Sequence, residues 1–230
     1  MLQVKEFSNA ILSNINFNLQ NDENLIILGS NGAGKSTLAK VLCGIIDSDC
    51  VELYGKNANE LNAKQRAKLI NYIPPKLEIF DEYISFKEYL NLSKLYSDFS
   101  VDEVVSLLDL DELKDKTCKK LSSGEQQLMM LASSILHNAK LTIFDEPTAN
   151  LDPKKTLKVY NILKGERIKN RIIITHDLSL AYKLGYKIIY MKDGKIEFFD
   201  DNKKFFQTSN LDKYFGNSLK RIDDYFMVNL

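Results

Sequence analysis

A glycine-rich stretch from Gly29 to Thr37 has the residue types and the spacing that bind phosphate groups. The apolar run Leu25–Leu28 before it predicts a buried strand, and the apolar spacing after it predicts a helix. Glycines let backbone N–H groups turn inward around an anion, and a helix start adds unpaired N–H groups and a positive dipole end. The stretch therefore predicts a loop that holds the phosphates of a nucleoside triphosphate.

Two side chains at the end of this P-loop extend its chemistry to charge neutralisation and metal binding. Lys35 can reach the β- and γ-phosphates, and the Ser36 hydroxyl can bind Mg²⁺. The alternative is an ordinary glycine-rich turn, and the complete GxxxxGK[ST] pattern between a strand and a helix argues against it. The predicted nucleotide contacts are Gly29, Ser30, Asn31, Gly32, Ala33, Gly34, Lys35, Ser36 and Thr37.

Two adjacent acids follow the apolar run Leu141–Phe144, which predicts a second buried strand. Asp145 at the strand tip can enter the Mg²⁺ shell together with Ser36. Glu146 can orient the attacking water and accept its proton, which is the task of a general base. A helix cap or a solvated turn is the alternative for paired acids, and it loses weight in a chain that also carries a P-loop.

The two histidines differ in their surroundings. His176 follows the predicted strand Arg171–Thr175, so we expect it at the carboxyl edge of the sheet, where it can donate a hydrogen bond to the γ-phosphate. His137 lies in a helical pattern without chemical partners, and we expect it to be packed or solvated.

The segment Leu121–Gln127 allows two compatible interpretations. Ser122 and Glu125 have the spacing of a capping box that starts a helix extending to His137. A helix start with small residues also presents free N–H groups, which can bind an anion.

Strands that alternate with helices predict an α/β fold with a mainly parallel sheet. The alternation in Ile15–Leu19 predicts an antiparallel strand, and Asp193-Gly194 predicts a hairpin turn. Pro74 and Pro75 end regular pairing, and residues 76–120 read as a helical insertion.

Composition narrows the range of partners. Lys and Arg together number 31, as do Asp and Glu, so no excess charge favours nucleic acid or anionic lipid. The three cysteines are scattered and suit a reducing cytosol, and each reads as a small buried side chain. We find no secretory leader and no apolar run of membrane-spanning length, so we expect a soluble chain.

This combination of motifs resembles the ATPase subunits of ABC transporters over nearly the whole chain. Gly29–Thr37 is similar to the family's Walker A motif and Leu121–Gln127 to its signature motif. Asp145–Thr148 is similar to Walker B, Ala149–Asp152 to the D-loop and His176 to the switch histidine. The resemblance implies a P-loop NTPase fold of the ABC ATPase type, with a mixed sheet, an antiparallel β part and a helical insertion.

The resemblance also implies a site that two chains share, with ATP and Mg²⁺ bound. Two copies are expected to pack head to tail, so that the signature of one covers the ATP on the P-loop of the other. The signature residues are Ser122, Ser123, Gly124 and Glu125, and the D-loop contributes Asp152. Phe7 is a candidate for stacking on adenine, although a role as a core phenylalanine fits equally well.

Two positions depart from the family pattern. Ser123 stands where the signature usually has its first glycine, a mild change if the φ angle there is negative. Pro75 stands where the family has the glutamine that follows a Tyr-Ile-Pro run and contacts the Mg²⁺ shell. Proline has no side-chain oxygen, so we expect metal coordination and coupling to the transporter to be altered.

We therefore expect one domain of ATPase type, with a core of about residues 1–75 and 121–230 and a helical subdomain of about residues 76–120. It would be a peripheral subunit at the cytoplasmic face of the membrane, bound to a permease on a separate chain and served by a substrate-binding protein. Thr175–Ala181 and Asn210–Gly216 resemble the subfamily that imports iron–siderophore complexes, haem or vitamin B12. The alternatives are a non-transport ABC ATPase and a regulatory ATP-binding subunit with low turnover.

Overall fold

A computed structural model describes residues 1–79 and 81–229, in which strands and helices alternate as predicted. Among these residues the strands are β1 Leu2–Phe7, β2 Ile15–Leu19, β3 Leu25–Gly29, β4 Val51–Leu53, β5 Lys56–Asn57, β6 Ile70–Ile73, β7 Leu141–Asp145, β8 Asn170–Ile174, β9 Lys187–Lys192, β10 Lys195–Asp200, β11 Leu219–Ile222 and β12 Tyr225–Val228. The helices are α1 Lys35–Leu42, α2 Ala63–Leu69, α3 Phe86–Ser93, α4 Val101–Leu107, α5 Ser123–His137, α6 Pro153–Lys164, α7 Leu178–Leu184, α8 Asn202–Phe205 and α9 Thr208–Phe215.

The chain divides into two compact units. The first consists of Met1–Leu61 and the chain from Ile172 onward, and the second is Asn62–Arg171. The second unit is larger than the predicted helical insertion, because it also contains β6, β7, α5 and α6. The expectation of a single domain with residues 76–120 as its subdomain stays a prediction.

The first unit contains an antiparallel sheet in the order β2-β1-β4-β5. In β2 the apolar residues are buried and the polar ones exposed, as the alternating pattern predicted. The same unit also has parallel pairs of β3 with β8 and of β3 with β9, and β9 pairs antiparallel with β10. All five residues of β3 are buried, so the P-loop begins from the interior of the unit.

Turn residues close the hairpins of the first unit. Asp193 and Gly194 join β9 to β10 with φ angles of 48° and 74°, which fits the two-residue hairpin that the sequence predicted. The β11–β12 hairpin packs on α7, where the Phe226 N–H donates a hydrogen bond of 2.9 Å to the Ser179 hydroxyl.

The second unit has a parallel pair, β6 with β7, and a group of helices in which α3 and α4 pack on α5. Serine begins each of these three helices with a complete capping box, in which the serine oxygen accepts from a backbone N–H and the glutamate accepts from the serine N–H. The pairs are Ser85 with Glu88, Ser100 with Glu103 and Ser122 with Glu125.

In the described part of the chain, none of the helices has both the length and the apolar composition needed to span a bilayer.

Candidate nucleotide-binding site

Close backbone approach shapes the loop between β3 and α1. Gly29 has a φ angle of 152°, and a Cβ atom there would lie 2.4 Å from the carbonyl oxygen of Met191. Gly34, the N-cap of α1, has a φ angle of 95°, and its Cβ would lie 2.6 Å from Cδ2 of Leu12. Both positions therefore require glycine, which explains why the motif has glycine at its start and just before the lysine.

Lys35 is folded back over the loop from which it starts. Its ammonium donates hydrogen bonds of 2.8 Å to the carbonyl oxygen of Gly29 and 2.9 Å to that of Ser30. Lys35 is only 7% exposed, so little water reaches its ammonium, and the two carbonyl oxygens help to stabilise the positive charge. Ser36, the next residue, is exposed at the start of α1. The loop thus combines a held positive charge, an accessible hydroxyl and a helix N-terminus, which together suit a phosphate chain.

His176 lies at the same edge of the sheet as the P-loop. The Thr175 N–H donates to the Ile27 carbonyl at 3.2 Å, which continues the parallel register in which Ile27 faces Ile174. Gly29 and His176 each come two residues after that pair, so they lie at one level on neighbouring strands. His176 is exposed. The structure therefore brings the predicted switch histidine to the loop, and its role stays a prediction.

In the second unit, the predicted Walker B strand forms as β7, all five of whose residues are buried. Its last residue, Asp145, is 2% exposed and accepts a hydrogen bond of 2.9 Å from the Tyr72 hydroxyl. Asp145 offers a carboxylate and Ser36 a hydroxyl, which are the hard oxygen ligands that Mg²⁺ prefers. Within the described residues no three His, Cys, Asp or Glu side chains cluster as metal ligands. Each side chain by itself is of the chemical type that can serve as a Mg²⁺ ligand, and their joint role stays a prediction.

Glu146 has a left-handed backbone conformation, with a φ angle of 51°, which it shares with nine other non-glycine residues among those described. Such a conformation costs about 1–3 kcal/mol outside glycine. Its carbonyl is held by the buried amide of Gln127 at 3.3 Å and by the Ala149 N–H at 3.1 Å. These two hydrogen bonds fix the backbone of Glu146, and its predicted catalytic role stays a prediction.

The predicted signature segment forms the start of α5. The Ser122 N–H donates to the Glu125 carboxylate at 2.7 Å, and the Glu125 N–H donates to the Ser122 hydroxyl at 3.3 Å. Burial raises the pKa of Glu125, but the Ser122 N–H and the Lys116 ammonium outweigh it and lower the pKa overall. Ser122 and Ser123 are exposed. Ser123 does not have a positive φ angle, so the backbone there accommodates serine. This is the condition under which replacing the family's glycine by serine is a mild change.

The predicted D-loop lies against this helix start. A Cβ atom on buried Gly124 would be 3.3 Å from Nζ of Lys155 and 3.5 Å from Cδ2 of Leu151, so the side chains of the D-loop and of the start of α6 pack against this glycine. Asp152 is the N-cap of α6 and accepts from the Lys155 N–H at 2.9 Å. That hydrogen bond and the Lys155 ammonium lower the pKa of Asp152. Asp152 therefore has a structural role in the chain itself, and its role between two chains stays a prediction.

Phe7 is 6% exposed and faces Ile15 across the β1–β2 pair, which favours the core role over stacking on adenine. Its contact with adenine stays a prediction. Ile11, in the loop between these strands, is 55% exposed, and its Cγ2 lies 3.6 Å from the Cβ position of Gly34. The Asn9 side chain fixes this loop by accepting from the Ile11 N–H at 2.8 Å.

Sequence reasoning missed both Ile11 beside the P-loop and Tyr72 beside Asp145. Ile11 is an apolar residue that lies before the alternating pattern of β2, and this position was the available signal that it is not part of the core. For Tyr72 the signal would have been the register of two strands far apart in the sequence.

Comparison with known proteins gives one consistent family. The sequence model of the family described as ABC transporter matches residues 12–149, which is more than half of the chain. The phosphonates import ATP-binding protein PhnC of Fusobacterium nucleatum subsp. nucleatum is 32% identical over 231 residues, covering 86% of this chain and 93% of PhnC.

Other relatives are longer than this chain. The ribose import ATP-binding protein RbsA of Caldanaerobacter subterraneus subsp. tengcongensis is 31% identical over 209 residues, covering 83% of this chain. The match covers 42% of RbsA and 44% of another curated relative, so the chain spans less than half the length of these two proteins. Among solved structures, CbiO1 of Clostridium perfringens, part of the ABC transporter complex CbiONQ, has a TM-score of 0.72 at 26% identity. That match covers 92% of each chain.

Proposed function

The chain belongs to the ABC transporter family of ATP-binding proteins, and on this basis we propose that it hydrolyses ATP to power the transport of a solute across a membrane. The observation that carries the proposal is the P-loop, in which carbonyls at 2.8 and 2.9 Å hold the buried ammonium of Lys35. A triphosphate can take over the contacts of this ammonium, because charged phosphate oxygens are stronger acceptors than neutral carbonyls.

Each predicted side chain then has a separate task. Lys35 binds the β- and γ-phosphates. Ser36 and Asp145 would each supply an oxygen ligand to Mg²⁺, which would neutralise phosphate charge. Glu146 accepts a proton from the attacking water as the oxygen of that water bonds to the γ-phosphorus. His176 donates a hydrogen bond to the γ-phosphate and so stabilises its charge. The bond between the γ-phosphorus and the β–γ bridging oxygen breaks, so ADP leaves with that oxygen and its electron pair, and inorganic phosphate is the second product.

The signature supports a site that a second copy of the chain completes. Ser122 and Ser123 are exposed at the first turn of α5, a 15-residue helix whose N-terminus favours an anion. We assign these residues, with Gly124 and Glu125, to the ATP on the P-loop of the partner copy.

The same family membership supports permease subunits on a separate chain and a peripheral position at the cytoplasmic face of the membrane. CbiO1 is part of a transporter complex, which supports a membrane partner for this chain. A substrate-binding protein completes the system that we propose.

For the solute we propose an iron–siderophore complex, haem or a related metal chelate, supported by the resemblance of Thr175–Ala181 and Asn210–Gly216 to that import subfamily. Two relatives are named for phosphonates and ribose, so the relatives' names favour no single solute. Uptake of radioactive iron–siderophore in cells with and without the gene tests this assignment, with phosphonate and ribose uptake as controls. If cells without the gene lost only phosphonate uptake or only ribose uptake, that compound would be the solute and the assignment to a metal chelate would be wrong.

Replacing the proposed base tests the ATPase function. Glu146→Gln should keep ATP binding and slow hydrolysis by about 10²–10⁴-fold, because the amide cannot accept the proton. It should also accumulate an ATP-bound dimer in size-exclusion chromatography.

Lys35→Ala is the matched control, because it should lose most ATP affinity while the fold is kept. Normal hydrolysis by Glu146→Gln would place the base elsewhere. Parental affinity in Lys35→Ala would overturn the P-loop assignment, and a parent protein that binds ATP with negligible turnover would favour a regulatory subunit.

A further inference from the structure

A tyrosine hydroxyl contacts the carboxylate assigned to Mg²⁺. The Tyr72 Oη donates to Oδ2 of Asp145 at 2.9 Å, although the two residues are 73 positions apart in the sequence. Asp145 is 2% exposed, so a hydrogen-bond donor from the protein has to replace the water that a carboxylate normally has.

The register of β6 and β7 explains how the hydroxyl reaches the carboxylate. Tyr72 faces Ile143 in the parallel pair. Asp145 comes two residues after Ile143 and therefore lies on the same face, about 7 Å further toward the carboxyl edge. A tyrosine side chain that leans along the strand spans such a distance, whereas a shorter side chain at this position would not.

The sequence around Tyr72 leaves few alternatives for this contact. Ile70 lies on the same face of β6 as Tyr72 and is apolar. Pro74 follows on the same alternation and has no hydrogen-bond donor, and Pro75 is exposed at the position of the family's glutamine. Of the two β6 residues on this face, Tyr72 is thus the one that can donate to Asp145.

We propose that Tyr72 is a positioning residue for the Mg²⁺ ligand Asp145 and that it fixes the carboxylate in a chain that has proline at position 75. The proposal rests on the proposed function. By donating to Oδ2, the phenol holds the orientation of the carboxylate and leaves Oδ1 for the metal. Partners of this kind, which hold a ligand in place, change metal affinity about 10–100-fold when they are replaced.

The experiment removes the hydroxyl and measures metal binding directly. Tyr72→Phe keeps the ring, and Mn²⁺ binding to the protein–ATP complex is followed by electron paramagnetic resonance. We expect the Mn²⁺ dissociation constant to rise about 10–100-fold, while ATP affinity in EDTA stays at the parental value. The matched control is Tyr96→Phe, which removes a hydroxyl that donates to the Lys64 carbonyl at 3.2 Å in the same unit.

A double-mutant cycle separates positioning from general destabilisation. In an Asp145→Asn background, Tyr72→Phe should change Mn²⁺ affinity by less than twofold, because the carboxylate that it positions is gone. Pro75→Gln in the Tyr72→Phe background should recover part of the affinity by supplying an amide oxygen.

Parental Mn²⁺ affinity in Tyr72→Phe would overturn the proposal, as would equal losses in the Tyr96→Phe control or in the Asp145→Asn background. If the parent shows no ATP binding that Lys35→Ala abolishes, the proposed function fails first. If the parent binds ATP and the cycle shows no coupling, the inference about Tyr72 fails alone. If Tyr72→Phe does not fold, 3-fluorotyrosine is placed at position 72 in the same double-mutant cycle. It keeps the hydroxyl but makes it more acidic, so the proposal requires that it still shifts the Mn²⁺ affinity.

Discussion

At the scale of single residues, Lys35 and Asp145 illustrate the cost of burying charge. They are 7% and 2% exposed, and each is compensated by hydrogen bonds at 2.8–2.9 Å. A buried charge without such partners would cost several kcal/mol. The carbonyls of Gly29 and Ser30 and the hydroxyl of Tyr72 are uncharged, so a phosphate or a metal ion can compete with these contacts.

The contact with adenine can be tested by comparing Phe7→Ala with Ile11→Ala. Phe7 is buried, so its loss should lower the free energy of unfolding by about 3–5 kcal/mol and leave the ATP affinity of the folded protein unchanged. Ile11 is exposed beside the P-loop, so its loss should weaken ATP binding by roughly 1–2 kcal/mol with little change in stability.

Urea unfolding and fluorescent-nucleotide titration give the two quantities for each variant. If Phe7→Ala weakens ATP binding more than Ile11→Ala does, Phe7 is the adenine contact despite its burial.

At the scale of elements, the starts of α3, α4 and α5 share one device, a serine and a glutamate that satisfy each other's backbone N–H groups. Two of these pairs order helices with no assigned chemistry, whereas Ser122 and Glu125 order the start assigned to the signature. The capping box and the anion-binding interpretation of that start are thus compatible, because the cap uses the Ser122 and Glu125 N–H groups and leaves the exposed face of the first turn available.

The capping boxes predict a loss of stability in acid. Hydrogen bonds from the N–H groups of Ser85 and Ser100 lower the pKa values of Glu88 and Glu103. A carboxyl whose pKa is lower in the folded state stabilises the protein above its unfolded pKa, about 4.3, and the effect is lost as the pH falls through the folded pKa. The free energy of unfolding should therefore decrease between about pH 5 and pH 3.

Glu88→Gln combined with Glu103→Gln should make this decrease shallower in urea unfolding at a series of pH values. Glu112→Gln, an exposed glutamate outside the three boxes, is the control. Identical pH profiles for the double variant and the parent would show that the caps do not depend on the charged carboxylates.

At the scale of the whole molecule, each site that we propose needs Lys35 from one copy and Ser122 from another. Lys35→Ala removes the phosphate contact that the P-loop of one copy contributes to the site. Ser122→Arg places a bulky cation at the start of α5, where it opposes the positive end of the helix dipole and fills the space meant for phosphate. Each variant alone should be inactive.

An equimolar mixture of the two variants should regain about a quarter of the parental ATPase rate. Random pairing makes half of the dimers mixed, and each mixed dimer has one of its two sites intact. Steady-state ATPase measurements of both variants and of the mixture test this. A mixture no more active than its separate components would contradict a site shared between copies.

The sequence alone determined the local features of this protein. The P-loop, the acids after the Leu141–Phe144 run, the capping boxes and most element bounds follow from patterns within a few residues, because turn geometry, caps and periodicity are short-range effects. The family could be identified for the same reason, since its motifs are short and their order is readable along the chain.

Only the tertiary structure decided features that depend on distant neighbours. The burial of Phe7 follows from its pairing with β2, and the bond from Tyr72 to Asp145 follows from the register of β6 against β7. The carbonyl of Glu146, which follows β7 in a left-handed conformation, is held by Gln127 of α5. Each of these results from packing between segments far apart in the sequence, where a shift of one residue in strand register would turn every side chain to the opposite face.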